Sequence, residues 1–229
     1  MFDPKRSFTY DPLPCESHEC GSYQSHNCQR QCGFSVNNSV KGERKVTDVD
    51  SNILLLGGGG DMEGTPTPMN IYDYYSITLL RIEYGAVVID MDEEVHKYRA
   101  ILNTGSPLTY IPDIAYKVLS DTVESQLVTL RFERADDKDD LFFEGKIEGV
   151  AIPNVTFSFA NGYALVLDEY SLFYSKTPNK FCLAVYPSSN IHSAGFKTLI
   201  LIGLLAQQNY NVGYDLKNGK LYFKGWIVH

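Results

Sequence analysis

The sequence predicts a mainly β protein with one long helix, on three observations. Tyrosine and phenylalanine are abundant, 16 and 12 in 229 residues, and such side chains suit the pleated surface of a sheet. Two stretches alternate apolar and polar residues in step with a strand: Tyr75, Ile77 and Leu79 around Ser76 and Thr78, and Val155, Phe157 and Phe159 around Thr156 and Ser158. Only one segment, opened by Pro112 and Asp113, carries a clear helical stripe: Ala115, Val118, Leu119, Val123 and Leu127.

In chain order, residues 1–50 are polar and cysteine-rich with little periodicity, and read as loop and short hairpin without a core of their own. Four of the five cysteines, Cys15, Cys20, Cys28 and Cys32, crowd together, separated by four, seven and three residues. These spacings suit two small disulfide loops, of which the nested pairing Cys15–Cys32 with Cys20–Cys28 is one of three connectivities. A zinc site using His18 or His26 is the competing reading, but the two-residue spacings that zinc favours are missing. Disulfides imply an oxidising compartment. The sequons Asn37-Asn38-Ser39 and Asn154-Val155-Thr156, with Asn37 and Asn154 as glycosylation candidates, point the same way.

Ile53 to Leu56 reads as a buried strand that breaks into four glycines, Gly57 to Gly60. No Gly-Lys-Ser/Thr ending follows, and Pro66 and Pro68 bar a helix, so the glycines read as a turn and not a phosphate loop. Residues 101–112, ILNTGSPLTYIP, place Asn-Thr-Gly-Ser between two apolar runs. A buried strand there delivers Asn103 to a tight turn, with Gly105 allowing the backbone to fold back closely. FCLAV at 181–185 and the run Leu199–Leu205 read as fully buried strands. Asn211–Tyr214 and Leu221–Phe223 form a hairpin around Lys217-Asn218-Gly219. The acidic run ADDKDD at 135–140 lacks the ligand register of a calcium loop and reads as a solvated loop. No metal and no cofactor is implied.

Composition excludes two partner classes. A formal charge of -8 and a pI near 5.1, with no basic run, argue against nucleic acid. The longest apolar run, LILIGLLA at 199–206, falls far short of the roughly 20 residues a membrane helix needs. The opening MFDPKRSFTY has neither an apolar core nor a small-residue cleavage site, so it does not read as a signal peptide.

Several stretches together resemble the pepsin-like aspartic proteases, in their plant nepenthesin-like branch. MFDPKRSFTYDPLPCESHEC is similar to that branch's FDPxxSSTYxxLPCxSxxC segment. CGF at 32–34, running on to NNSVKG, resembles a shortened flap region. ILNTGSPLTYIP resembles the second catalytic loop. IPNVTFSFANGYALVLDEYSLF, FCLAVYPS and LILIGLLAQQNYNVGYDLKNGKLYFK follow in the family's order, with Gln207, Gln208, Tyr214 and Asp215 in register. The resemblance implies two β lobes facing across a cleft, each giving one aspartate to a pair that shares a proton. It implies residues 1–72 as a truncated, disulfide-rich remnant of the first lobe and 73–229 as the C-terminal lobe. It implies peptide or protein substrates and an extracellular or secretory location.

The catalytic residues do not carry over. The first Asp-Thr-Gly is expected ahead of Phe2 and is absent from these residues, as are the Tyr-Gly-Asp of the flap and most of the first lobe between about 45 and 51. The second loop has Asn103 where the family has aspartate, with Thr104, Gly105, Ser106, Ile202 and Gly203 as its support. Leu204 stands where Asn usually follows Gly203. Phe142 stands where the second lobe's disulfide partner for Cys182 would be, so Cys182 is expected to be a buried thiol. An amide cannot take a proton from water near neutral pH but still holds a turn. The expected reading is therefore an aspartic endopeptidase by descent, inactive on its own. The alternatives are a non-catalytic, xylanase-inhibitor-like protein binder, or a truncated gene product. Loss of the covering lobe would leave apolar surface and favour self-association.

Overall fold

The structure is a computed structural model, and it describes residues 62, 64–71, 74–91, 98–135, 141–191 and 199–225. All of them lie in the compact unit Asp61–His229. The expected strand Ile53–Leu56, the glycine run, all four N-terminal cysteines, His18, His26 and Asn37 lie outside the described residues.

Among the described residues fourteen strands run in chain order: β1 (Thr65–Asn70), β2 (Ser76–Tyr84), β3 (Val87–Asp90), β4 (Arg99–Leu102), β5 (Thr109–Ile111), β6 (Phe142–Glu144), β7 (Val155–Phe159), β8 (Ala164–Leu167), β9 (Phe173–Thr177), β10 (Lys180–Leu183), β11 (Val185–Pro187), β12 (Leu199–Ile202), β13 (Tyr210–Asp215) and β14 (Lys220–Gly225). The helices are α1 (Asp113–Thr129) and the single turns α2 (Glu169–Leu172) and α3 (Leu204–Gln207). The main sheet runs β11-β5-β12-β4-β2-β1-β14-β13. The second half of β2 also pairs with β3 and β7, and β7 with β8; β6-β10-β9 form a separate small sheet.

Most of the expected elements stand. Val155, Phe157 and Phe159 are buried while Thr156 and Ser158 are half-exposed. The last two strands form the hairpin, with Gly219 at positive φ in its turn. The helix buries Ala115, Leu119, Val123 and Leu127. Val118 is not part of that stripe but exposed, because one residue from Leu119 is a rotation of about 100°.

Three expectations need correction, the first being FCLAV at 181–185 as one strand: β10 ends at Leu183 and β11 begins at Val185, in a different sheet. Tyr75 is not a strand residue: β2 starts at Ser76, and the exposed Tyr75 ring rests near Tyr214 at 5.9 Å between centroids. The buried phase of β2 then changes from Ile77 and Leu79 to Ile82 and Tyr84, because the register with β7 shifts between Leu79 and Arg81. Such a bulge turns alternate side chains over to the other face. Leu199–Leu205 is not one strand: β12 ends at Ile202, and α3 begins at Leu204.

β1 is a strand the prolines had concealed. It pairs with β14 from Thr65↔Phe223 to Pro68↔Lys220 and with β2 through Met69↔Ile77 and Asn70↔Ser76. An antiparallel ladder draws donors from every second residue, so Pro66 and Pro68 leave the N–H groups of Thr65 and Thr67 for it. β1 precedes residue 73 in the chain, yet it belongs to the same sheet as β2 and β14.

One main core fills the unit. Phe223 stacks between Phe159 and Tyr163, at 6.0 and 4.7 Å. Phe181 meets Phe132, Phe143 and Phe173. The outer strands β8 and β13 meet through a side chain: the Tyr210 hydroxyl accepts from the Val166 N–H at 2.9 Å and donates to the Val166 carbonyl at 3.1 Å. The sheet thus curls until one phenol joins two of its strands. Tyr210→Phe is expected to cost about 1 kcal/mol and to speed hydrogen exchange at the Val166 amide. An unchanged amide would show that the phenol is not what holds that strand.

Burial raises the phenol pKa values of Tyr84 and Tyr214 from the ordinary 10.0 to about 12. The protonated phenol is favoured in the folded state, so its contribution is complete below the unfolded value. It is lost as the pH rises through the folded one. Stability is therefore predicted to fall from about pH 10 upward, checked by alkaline melts followed through phenolate absorbance.

Candidate functional site

The loop that carries Asn103 is shaped by an unusual threading. β12 lies between β4 and β5, parallel to the first (Ile202↔Leu102) and antiparallel to the second (Leu201↔Tyr110). The connection from β4 to β5, residues 103–108, must therefore arch over the end of β12. That brings Asn103 beside Ile202, and Ser106 and Pro107 beside Leu204 and Leu205.

Hydrogen bonds fasten the arch at both feet. The Asn103 N–H donates to the Ile202 carbonyl at 2.9 Å, and the N–H groups of Leu204 and Leu205 donate to the carbonyls of Ser106 and Pro107 at 2.8 and 3.1 Å. Asn103 Oδ1 accepts from the Gly105 N–H at 2.9 Å, closing a side-chain turn of the kind asparagine favours. Ser106 Oγ donates to the Leu108 carbonyl at 3.0 Å.

Two further residues hold the site together, neither of them among the support residues expected for the loop. Thr109 is buried, and its Oγ1 accepts from the Gly203 N–H at 3.1 Å. Gln207 is buried, and its Nε2 donates to the carbonyls of Ile202 and Gly203 at 2.8 and 3.3 Å. Thr109 lies within an apolar strand and Gln207 within LLAQQ. A buried polar residue needs a partner: the threading supplies it for Thr109, while Gln207 finds its partners four and five residues back in its own turn.

The chemistry of the arrangement is neutral. Asn103 is half-buried and Thr104 and Gly105 are exposed. No residue of 103–108 or 202–205 (NTGSPL and IGLL) carries an ionisable acid or base. The loop can give and take hydrogen bonds but offers no group to relay a proton near neutral pH. Ser76 pairs with Asn70 on one side and Ile101 on the other, so Ile71, Tyr74 and Tyr75 stand at the same end of the sheet as the arch. Ile71, Tyr74, Tyr75, Leu204 and Leu216 are all exposed there.

Beneath β5 lies a second, smaller core of Ala135, Phe142, Cys182 and Tyr186, against which Leu108, Tyr110 and Tyr174 pack. Cys182 faces Phe142 across the β10–β6 ladder as a buried thiol. Its sulfur lies 3.3 Å from the Tyr186 hydroxyl, which lies 3.0 Å from that of Tyr174. Burial, then these two neighbours, push the Tyr186 phenol far above its ordinary range. Lys176 Nζ sits 4.4 Å above the Phe142 ring. Asn154 is elsewhere, exposed ahead of β7. Residues 136–140 of the acidic run lie outside the described residues.

The curled β unit, with its Thr-Gly loop arched over a threaded strand, has the pepsin-like fold, essentially that fold's C-terminal lobe. The chain belongs to the xylanase inhibitor C-terminal family, whose profile matches residues 74–225. It is 28% identical over 174 residues to the aspartyl protease UND of Arabidopsis thaliana and 26% over 180 residues to the aspartic proteinase nepenthesin-2 of Nepenthes gracilis. In each case 72% of this chain is matched to 40% of the relative, so the chain spans about two-fifths of their length. Among solved structures it is similar to conglutin gamma of lupine seeds, at TM-score 0.58 and 15% identity over 70% of this chain and 40% of that one. Basic 7S globulin of soybean matches at 0.56 and 17%, over 72% and 45%. These two share the fold.

Gly203 is the position where substitution should be least tolerated. A Cβ there would fall on the Leu108 carbonyl and within 2.8 Å of the Pro107 oxygen. Gly203→Ala is expected to destabilise by roughly 3 kcal/mol or more, read from urea unfolding. Asn103→Asp keeps the turn acceptor and should stay within about 1 kcal/mol of the parent.

Proposed function

We propose that this lobe recognises a protein partner and does not hydrolyse peptides by itself. The observation that carries the reading is the neutral turn at position 103. The resemblance puts a catalytic aspartate there, and this chain has an amide whose oxygen is already engaged by the Gly105 N–H. Peptide hydrolysis of the aspartic type needs two carboxylates with one proton between them, one activating water and the other polarising the carbonyl. Asn103 can do neither. Thr104, Gly105, Ser106, Ile202 and Gly203 keep the loop's shape without its acid.

The exposed apolar residues around the arch support recognition as the retained role, because such clusters mark interaction surfaces. Ile71, Tyr74, Tyr75, Leu204 and Leu216 would supply the contact area, with the Asn103–Ser106 turn among them as polar groups. The family's description as xylanase inhibitors supports a glycoside hydrolase as the first class of partner to try. Secretory or extracellular placement follows from the same kinship and from the cysteine spacing, with the pairings Cys15–Cys32 and Cys20–Cys28 proposed for it.

The test is a pair of assays on the purified chain. Digestion of an unfolded protein in mild acid should show no pepstatin-sensitive cleavage, either by the parent or by Asn103→Asp, which restores only one carboxylate. Titration against a panel of endo-xylanases should show stoichiometric loss of their activity, and Tyr75→Ala with Leu204→Ala should weaken it about tenfold or more. Pepstatin-sensitive cleavage by the parent would overturn the first half of the reading, and a panel left fully active would overturn the second.

A further inference from the structure

We propose that Asn154 is an N-glycosylation site, carrying an oligosaccharide at the mouth of the β7 strand on the solvated face of the sheet. The sequon Asn154-Val155-Thr156 has no proline at its middle position, and Phe157 follows it. A sequon alone is weak, since burial would forbid a sugar; the fold removes that objection. Asn154 is exposed, and among the described residues none engages its carboxamide. Val155 points inward and is fully buried. Side chains alternate along a strand, so Thr156 shares the outward face of β7 with Ser158, whose hydroxyl donates to Glu83 at 3.0 Å, and the exposed Asn154 stands just ahead of the strand.

The surroundings leave room for a bulky substituent. Pro153 lies beside the β2–β3 turn, where a Cβ at Gly85 would come within 3.5 Å of its ring. That turn is made by Gly85 and Ala86, both exposed and both without a long side chain. Val166, opposite Thr156 on β8, is itself exposed. The attached sugar would stand over this side of the sheet, while the Asn103 arch is carried by β4, β5 and β12.

The attachment balances with a lipid-linked oligosaccharide diphosphate as donor. The carboxamide nitrogen of Asn154 bonds to the first sugar carbon, the bond from that carbon to the diphosphate oxygen breaks, and the nitrogen gives up one proton. The lipid diphosphate leaves with the electron pair. Thr156, two residues on, supplies the hydroxyl that the transferring enzyme reads. No residue of the arch takes part, so the inference stands or falls apart from the proposed function.

The full chain behind a cleavable secretory leader, made in insect cells on an Asn37→Gln background, provides the test. Treatment of the native protein with peptide N-glycosidase in heavy-oxygen water should remove one glycan's mass without prior unfolding. It should convert residue 154 to isotopically labelled Asp in the peptide map. Asn154→Gln and Thr156→Ala should each abolish the shift, and Thr156→Ser should keep it. Translation with microsomes reports the same attachment on the nascent chain, so a variant that fails to fold still gives an answer. Residue 154 recovered as unmodified Asn, while a control sequon on the leader carrier is occupied, would overturn the proposal. So would a glycan that only unfolding exposes to the glycosidase, because Asn154 would then not be on the surface described.

Discussion

The placement of β12 between β4 and β5 is the constraint on which the rest of the unit depends. A strand with neighbours on both sides cannot be reached by a simple hairpin, so the β4–β5 connection has to pass over its end. Gly203 makes that passage possible by leaving the space under the Leu108 carbonyl empty. Thr109 then satisfies the Gly203 N–H that the crossing would otherwise strand in an apolar interior, and Gln207 adds a second donor to the Ile202 carbonyl. Asn103 completes the turn above. Each of these is a local solution to one topological demand.

The shape of the loop and its acidity are therefore separable properties. The turn needs an oxygen acceptor at position 103, a residue at 105 that tolerates the close approach, and no side chain at 203. None of those needs involves a proton. An amide meets the first requirement as well as a carboxylate does, without charge in a half-buried setting. A lobe of this kind can keep its fold and the surface around the arch whether or not position 103 carries an acid. The same logic applies beneath β5, where Phe142 and Cys182 face each other and fill the small core by packing.

What was legible in the sequence was local. Alternation at 155–159, the Asn-Gly turn and the stripe of α1 each depend on neighbours a few residues apart, and each is present. The Asn-Thr-Gly turn and the glycine at 203 could be read by resemblance. The misses are non-local. β1 was hidden because prolines forbid a strand only where their missing donors are needed, which depends on partners some 150 residues away. The bulge in β2 is a register fact, invisible in composition. Leu199–Leu205 looked like one strand because apolarity alone does not show where a backbone must turn beneath an arch. Thr109 and Tyr210 have roles only once distant strands are brought together.

The threading can be tested directly by native-state hydrogen exchange at the Gly203 amide. That N–H is buried and donates to the Thr109 hydroxyl inside the crossing, so it should open only when the unit unfolds as a whole. Exchange as slow as that of the β7 core amides, and equally sensitive to denaturant, is the predicted result. Rapid exchange insensitive to denaturant would mean that β12 is not held between β4 and β5, and the account of the arch would fail with it.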